Sequence, residues 1–407
     1  MVAANYRSDI MKNKLTNHLS VNRTIHANYH YSFWAFFSIT SLWVIYLTQH
    51  GMSLIQVGLL ESIFHTASLL FEVPSGTLAD HFAYKTVLVM GRLMAILSGI
   101  LFLSGTGFWW FALAFIIQAF SYNLNSGTNE ALVFETLKAD HLEKHYLKIT
   151  ANLNAIYELA DMLGLIVAGF FVHWHFSLTY VIYIFTSFLA IGAILRMQEP
   201  YSQISAETVP ATSFAVIIKT SWQFLISHLI VAGLMLFLAC YEAIGTTYFF
   251  YFQTLMTHYR FTGWQISLVI VIASCFNILG AKSAPTLEKH WSKQQLIYGL
   301  VGLMIAGLLF SIFKNIIILT ICFILIGLMT TIVEPIFNDF LQQQIPSNAR
   351  ATLLSVMSMM FSLVMIVLFP VVGKLITLVQ FNLAFFIIGI FLLLIGLSLI
   401  GLHFIKA

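Results

Sequence analysis

Apolar residues along this chain come in runs of about twenty, separated by short polar stretches. A helix needs about 20 consecutive apolar residues to cross the hydrocarbon of a bilayer. Such runs lie at about 30–50, 55–77, 85–104, 108–134, 148–172, 177–196, 220–252, 261–283, 295–313, 315–341, 352–376 and 381–404. They predict an all-α membrane protein with twelve transmembrane helices. The fourth, seventh and tenth runs exceed the bilayer thickness, so those helices tilt or project into water. Most connections are short. The exception, 197–219, is polar and holds Pro200 and Pro210, which marks a linker between two six-helix halves. The expected organisation is an N-terminal segment at 1–29, a six-helix bundle at 30–196, the linker at 197–219 and a second bundle at 220–407.

Composition narrows the function classes. The 407 residues are 59% hydrophobic and 9% charged, against about 25% charged in an average soluble domain. A soluble fold of this length needs more polar surface than the chain supplies. That excludes a cytosolic enzyme, a nucleic-acid binder and a disordered chain. Placing the N-terminus in the cytoplasm puts all but Arg260, Lys314 and Lys374 of the 19 Lys and Arg on the inner side. This agrees with the positive-inside rule and with an even number of spans, so both termini are expected in the cytoplasm. Arg7, Lys12, Lys14 and Arg23 precede the first run without an apolar core of their own, unlike a cleaved signal peptide. Cys240, Cys275 and Cys322 lie inside apolar runs and form no metal-ligand spacing, so neither a metal nor a disulfide framework is expected. The chain holds no His-Glu-x-x-His, no Gly-x-Ser-x-Gly and no Gly-x-x-x-x-Gly-Lys-[Ser/Thr]. A membrane enzyme and direct use of ATP are therefore disfavoured, and no cofactor is expected.

The two halves echo each other at an offset of 204. Glu130-Ala-Leu-Val-Phe-Glu135-Thr-Leu137 aligns with Glu334-Pro-Ile-Phe-Asn-Asp339-Phe-Leu341, and Gly169 aligns with Gly373. With the linker near the midpoint, these matches suggest a duplication of six helices. Repeats of this kind typify transporters whose halves rock around a central site.

Phe71-Glu-Val-Pro-Ser-Gly76-Thr-Leu-Ala-Asp80-His-Phe-Ala-Tyr-Lys85 follows the second run. It resembles the loop 2–3 signature of the major facilitator superfamily, Gly-x-Leu-Ala-Asp-Arg-x-Gly-Arg-Lys. Gly76, Leu78, Ala79, Asp80 and Lys85 match; His81, Ala83 and Tyr84 depart from it. Ser126–Leu137, which contains Glu135, is similar to the end of span four in bacterial drug-efflux-like members, and Arg350–Ser355 to the start of their span eleven. Two features of proton-coupled exporters are absent: the Arg inside span four, where Gln118 is the nearest polar residue, and the Gly-Pro signature of span five. The resemblance implies two pseudo-symmetric bundles, a monomer, and gating roles for Gly76, Asp80, Lys85, Glu72, Glu135 and Arg350. Asp80 is expected to approach span eleven in one conformation only, and Gly76 to permit a tight helix end and a close helix approach.

The residues suggest where coupling chemistry resides. Gly58, Glu61, His65, Ser68, Glu72 and Gly76 share one face of span two. His65, near mid-span, reads either as a proton carrier or as a packing histidine. Asn154, Glu158 and Asp161 share one face of span five at i, i+4 and i+7. Two carboxylates one turn apart in a low dielectric repel, which favours a proton on one of them. The competing reading pairs one of them with His65 or a base. Glu242 stands isolated among apolar residues of span seven, as a second proton or cation site or as a water-facing residue. Asn125, Asn154, Asn277, Trp34 and Tyr241 are candidates to touch substrate; aromatics in membrane helices more often pack or anchor at interfaces.

Together these features point to a secondary active transporter, proton-coupled and exporting a small amphipathic or cationic compound. A nutrient importer on the same fold and a non-transporting membrane sensor stay open. The expected partners are a small-molecule substrate, protons and the lipid bilayer.

Overall fold

A computed structural model describes residues 23–200, 226–344 and 350–406. Linker residues 201–219 fall outside them. Among the described residues every regular element is helical, and nine helices are long and apolar enough to cross a membrane. Large apolar side chains such as Trp109, Leu147, Phe170 and Phe391 point outward, exposed. In water this would be a costly surface; against lipid it is the expected one.

The apolar runs become helices α1 (23–35), α2 (Trp43–Gln49), α3 (Leu54–His81), α4 (Tyr84–Ser104), α5 (Phe108–Asn125), α6 (Thr128–Ala139), α7 (Tyr146–Phe171) and α8 (Leu178–Arg196). After the linker come α9 (Leu229–His258), α10 (Gly263–Leu287), α11 (Lys293–Phe310), α12 (Ile316–Gln344) and α13 (Arg350–Lys406). Several begin with a capping box. Ser53, Thr262 and Ser292 each pair with the Gln three residues on, whose Oε1 accepts from the capping residue's amide at 2.9, 2.8 and 3.1 Å.

Three departures from the expected runs matter. The first run is not one helix. It opens between Phe36 and Leu42, where short turns such as Ile39 N–H to Phe37 O replace helical bonds. The fourth run divides into α5 and α6 at Gly127, whose φ of 77° is available to glycine at little cost. The last two runs form one helical stretch interrupted only at Gln380, whose φ of 67° and ψ of 161° end one helix and start the next.

Packing sorts the described chain into two units. One holds residues up to 41, 70–168 and 175 to 200; the other holds 42–69, 169–174 and 226 onward. The first is built around α4, which packs on α5 and α8. Its core joins Ala27, Tyr31, Leu88, Leu132, Ala190 and Ile194. The second is built around α9, packed on α12 and α13, with α11 against both α12 and α13. Its core is aromatic: Tyr248 stacks on Phe252 and meets Phe385 edge-on, and Trp43 of α2 lies against Phe250 and Phe369.

Candidate functional site

In the first unit the polar centre forms around the opening in the first run. Nothing local breaks that helix: Phe36-Phe37-Ser38-Ile39-Thr40 contains neither Gly nor Pro. Partners from elsewhere hold it open. Arg92, on α4 and only 7% exposed, donates from Nη1 to the Ala35 carbonyl at 3.3 Å, the last of α1. A cation there complements the negative end of a helix. Gly164 of α7 lies under the opening, where a Cβ would stand 2.5 Å from the Ser38 nitrogen.

One turn before Gly164 on α7 is Asp161, within hydrogen-bonding reach of Ser38. Glu158 and Asn154 continue that face, both exposed. The expected i, i+4, i+7 row thus exists and ends against the unwound segment. On the adjoining face Tyr157 packs on the Phe36 ring at 4.1 Å and accepts from Asn129 Nδ2 at 3.1 Å. Asn129 Oδ1 accepts from Asn28, and Asn125 Oδ1 accepts from the Tyr31 hydroxyl. Asn125 also donates to the Ser121 carbonyl. These amides are fully engaged with protein. Trp34 is half-buried and packs against the Ala27–Tyr31 core.

The expected gate residues are placed as follows. Lys85 donates from Nζ to the Met197 carbonyl at 2.6 Å, and the Glu199 carboxylate accepts from the Tyr84 and Lys85 amides at the start of α4. Glu135 pairs with Lys138 at 3.2 Å on its own helix. Glu72 is exposed. At Gly76 the helix α3 continues to His81, and a Cβ there would meet open space in this conformation. The side chains of Asp80 and Arg350 lie outside the described residues.

In the second unit His65 is buried, with Nε2 3.5 Å from Glu61 and Nδ1 3.3 Å from Ser362 Oγ. Its carboxylate partner within this unit is the one a turn back on its own helix. Beside it Ser62 donates to the Ile366 carbonyl at 2.7 Å, and a Cβ at Gly58 would stand 2.5 Å from Pro370 Cα. The repeated glycines Gly169 and Gly373 both fill tight contacts here, against the carbonyls of Gly263 and Leu54, the first residues of α10 and α3.

Glu242 is not isolated. It lines a cavity of about 260 Å³ that it shares with Glu334, Asn338, Ser358 and Phe361 on α12 and α13. Asn338 Oδ1 is buried there without a hydrogen-bond partner. Tyr241 is fully buried with an unpartnered hydroxyl, and Asn277, whose side chain faces Gly327, has an unpartnered Oδ1.

Sequence reasoning missed two residues of these centres. Arg92 counts among the loop cations by sidedness, yet it lies eight residues into an apolar helix, about 12 Å from its start. That depth is the signal that finds it. Glu334 stands out only as an echo of Glu130; nothing in the sequence pairs it with Glu242.

Comparison with known proteins agrees with this architecture. The family model of the Major Facilitator Superfamily matches residues 27–368. A curated relative, the uncharacterized MFS-type transporter YxaM of Bacillus subtilis (strain 168), is 29% identical over 147 residues, which is 35% of this chain and 36% of that protein. Solved structures of the same fold include the nucleoside transporter NupG, with a TM-score of 0.75, 13% identity and coverage of 94% of this chain and 98% of that one. A bacterial homologue of the iron transporter ferroportin, in an inward-facing state, gives a TM-score of 0.68 at 16% identity, covering 94% and 98%. At these identities the structures establish the fold alone. Taken with the apolar helices, the match across most of the chain identifies a multi-pass membrane transporter rather than an enzyme: the chain belongs to the major facilitator superfamily.

Proposed function

We propose that this chain is a secondary active transporter of the cell membrane that works by alternating access and couples export of a small amphipathic or cationic compound to protons. In this reading twelve helices form two six-helix bundles, 30–196 and 220–407, with 197–219 and both termini in the cytoplasm. The observation that carries it is the row Asn154, Glu158 and Asp161 ending on the unwound first span beside Gly164. Interrupted membrane helices are where transporters place substrate and coupling-ion sites, because freed backbone groups face a ligand there. Two carboxylates on one face disfavour two adjacent negative charges in a low dielectric. A proton held between them loads on one side of the membrane and leaves on the other.

Export rather than import rests on the resemblance of residues 126–137 and 350–355 to efflux-type members. Solved neighbours of this fold are described as transporters of nucleosides and of peptides, which supports a small solute as cargo. Glu242 and His65 are the remaining coupling candidates, and Gly76, Asp80, Lys85, Glu72, Glu135 and Arg350 the gating ones.

The test is flux in proteoliposomes with and without an imposed pH gradient. Glu158→Gln and Asp161→Asn are expected to abolish pH-driven transport while leaving substrate exchange at equilibrium. Purified variants that fold normally and still respond to the gradient at wild-type rates would remove the span-five site. A protein that moves nothing under either condition would favour the sensor.

A further inference from the structure

We propose that the cavity between Glu242 and Glu334 binds a small organic cation with N–H donors, an aliphatic or aralkyl ammonium. Its use in transport rests on the reading above; the binding site itself stands on the geometry of α9, α12 and α13.

The cavity presents an excess of acceptors. Glu242 and Glu334 bring two carboxylates to one space, and their charges interact across it. Asn338 adds a carbonyl oxygen that is buried and unpartnered. Next to Glu242 in the chain, Tyr241 holds a fully buried, unpartnered hydroxyl within electrostatic range of that carboxylate. Among the described residues no Lys, Arg or His lines the cavity. Buried polar atoms are ordinarily paired, and leaving them unpaired is costly. Two carboxylates and an open amide oxygen, with only neutral donors beside them, are satisfied by a ligand that supplies N–H donors and positive charge.

The rest of the lining fixes the class further. Phe361 and Met357 face the same space. An aromatic face attracts a cation, and a thioether accommodates irregular apolar shapes. The volume of about 260 Å³ holds the equivalent of about eight waters and falls just below the usual range of about 300–1,000 Å³ for small-molecule sites. A bare divalent ion would leave most of it empty. It would also lack ligands: among the described residues no three His, Cys, Asp or Glu side chains converge. An ammonium on a short apolar body fits both the charge and the walls.

The proline in α12 helps make room. Pro335 follows Glu334 and offers no N–H to the Thr331 carbonyl one turn back. The helix continues, but the turn that carries Glu334 has one bond fewer.

Binding is measured by calorimetry on the purified full-length chain in detergent, with three probes: 2-phenylethylammonium, the neutral 2-phenylethanol and the quaternary 2-phenylethyltrimethylammonium. The expected result is saturable binding of the ammonium, none of the alcohol, and affinity for the quaternary ion weaker by at least about tenfold because it has no N–H to donate. Glu242→Gln and Glu334→Gln each weaken ammonium binding by at least about tenfold. Asn338→Asp keeps or tightens it, and Asn338→Leu weakens it. If either Gln variant fails to fold, Met357→Trp, which fills the cavity, supplies the same loss. Equal binding in wild type and variants, equal binding of the alcohol, or no binding of the ammonium overturns the site. Binding that follows these expectations in a protein showing no flux in proteoliposomes overturns the transport reading and leaves the site in place.

Discussion

The end of the fourth run and the end of the tenth run carry the same pattern at an offset of 204, and the protein uses them in opposite ways. In the first, Gly127 turns the chain and separates α5 from α6. The break points Asn125 and Asn129 at Tyr31, Asn28 and Tyr157, and every amide finds a partner. Glu130 falls in the first turn of α6, exposed, where a helix N-terminus favours a negative charge. In the tenth run no glycine stands at the corresponding place, and α12 runs on through Pro335. Glu334, the counterpart of Glu130, turns to a cavity, and Asn338 keeps an unpartnered oxygen. Similar residue types near the ends of the two runs are thus satisfied by protein in one unit and left for a ligand in the other. A buried amide alone does not mark a binding site; whether its partners come from the chain decides.

The sharpest way to break this comparison is to remove one amide from each side. Asn129→Leu deletes an acceptor for Asn28 and a donor to Tyr157, leaving the buried Asn28 amide unpaired at about 1–3 kcal/mol and removing one bond of the half-buried Tyr157 hydroxyl. A loss of about 2–5 kcal/mol is expected, measured as thermal stability in detergent. Asn338→Leu deletes a group whose oxygen has no partner, and is expected to be neutral or mildly stabilising without ligand. Equal losses in the two variants would mean that the cavity amide is held as firmly as the other.

The next effect concerns close approach. Gly164→Val drives a side chain into the Ser38 backbone, and overpacking of this kind costs about 1–3 kcal/mol. Gly76→Val, with open space around it, should change stability by no more than about 0.5 kcal/mol. The pair separates a glycine required by contact from one noticed by motif, and comparable melting shifts for both would remove that distinction.

Arg92→Gln is expected to cost about 1.5–3 kcal/mol, the range for a hydrogen bond to a charged group. The bond to Ala35 is what closes the end of α1. If the variant melts like wild type, the opening at Phe36–Leu42 is held by Gly164 and Ser38 alone.

These experiments bear on what a sequence reveals. The apolar runs locate the helices because lipid requires each span to satisfy its own backbone, and the polar row of α7 is legible because helical spacing is local. Even the boundary at Gln380 falls between two runs. The opening in the first run was not legible: Phe36 to Thr40 reads as helix, and the groups that hold it open, Arg92 and Gly164, lie about 55 and 125 positions away. Glu334 was visible as a repeat and invisible as a partner, since only packing of α9 on α12 brings it to Glu242. Motif likeness gave Gly76 a helix end that α3, continuous to His81, does not show in this conformation.

The smallest expected effect tests the carboxylates as charges. Glu334 shares its cavity with Glu242, so each raises the cost of a negative charge on the other. Its repeat counterpart Glu130 has a helix N-terminus beside it instead. Neutralising the two should therefore move stability in opposite directions. Glu334→Gln removes a like-charge contact and keeps the shape, so a gain of up to about 1 kcal/mol is expected, limited because Glu334 is exposed. Glu130→Gln removes a favourable charge from the first turn of α6, a loss of about 0.3–1 kcal/mol. Melting in detergent at low and high salt measures both. Screening should shrink each difference, since both residues are exposed. If Glu334→Gln is destabilising at low salt, Glu334 has a stabilising partner in place of a repelling neighbour, and the cavity is a closed structural pair instead of an acceptor-rich site. If both variants shift in the same direction, the two ends of the repeat differ less in electrostatics than their geometry indicates.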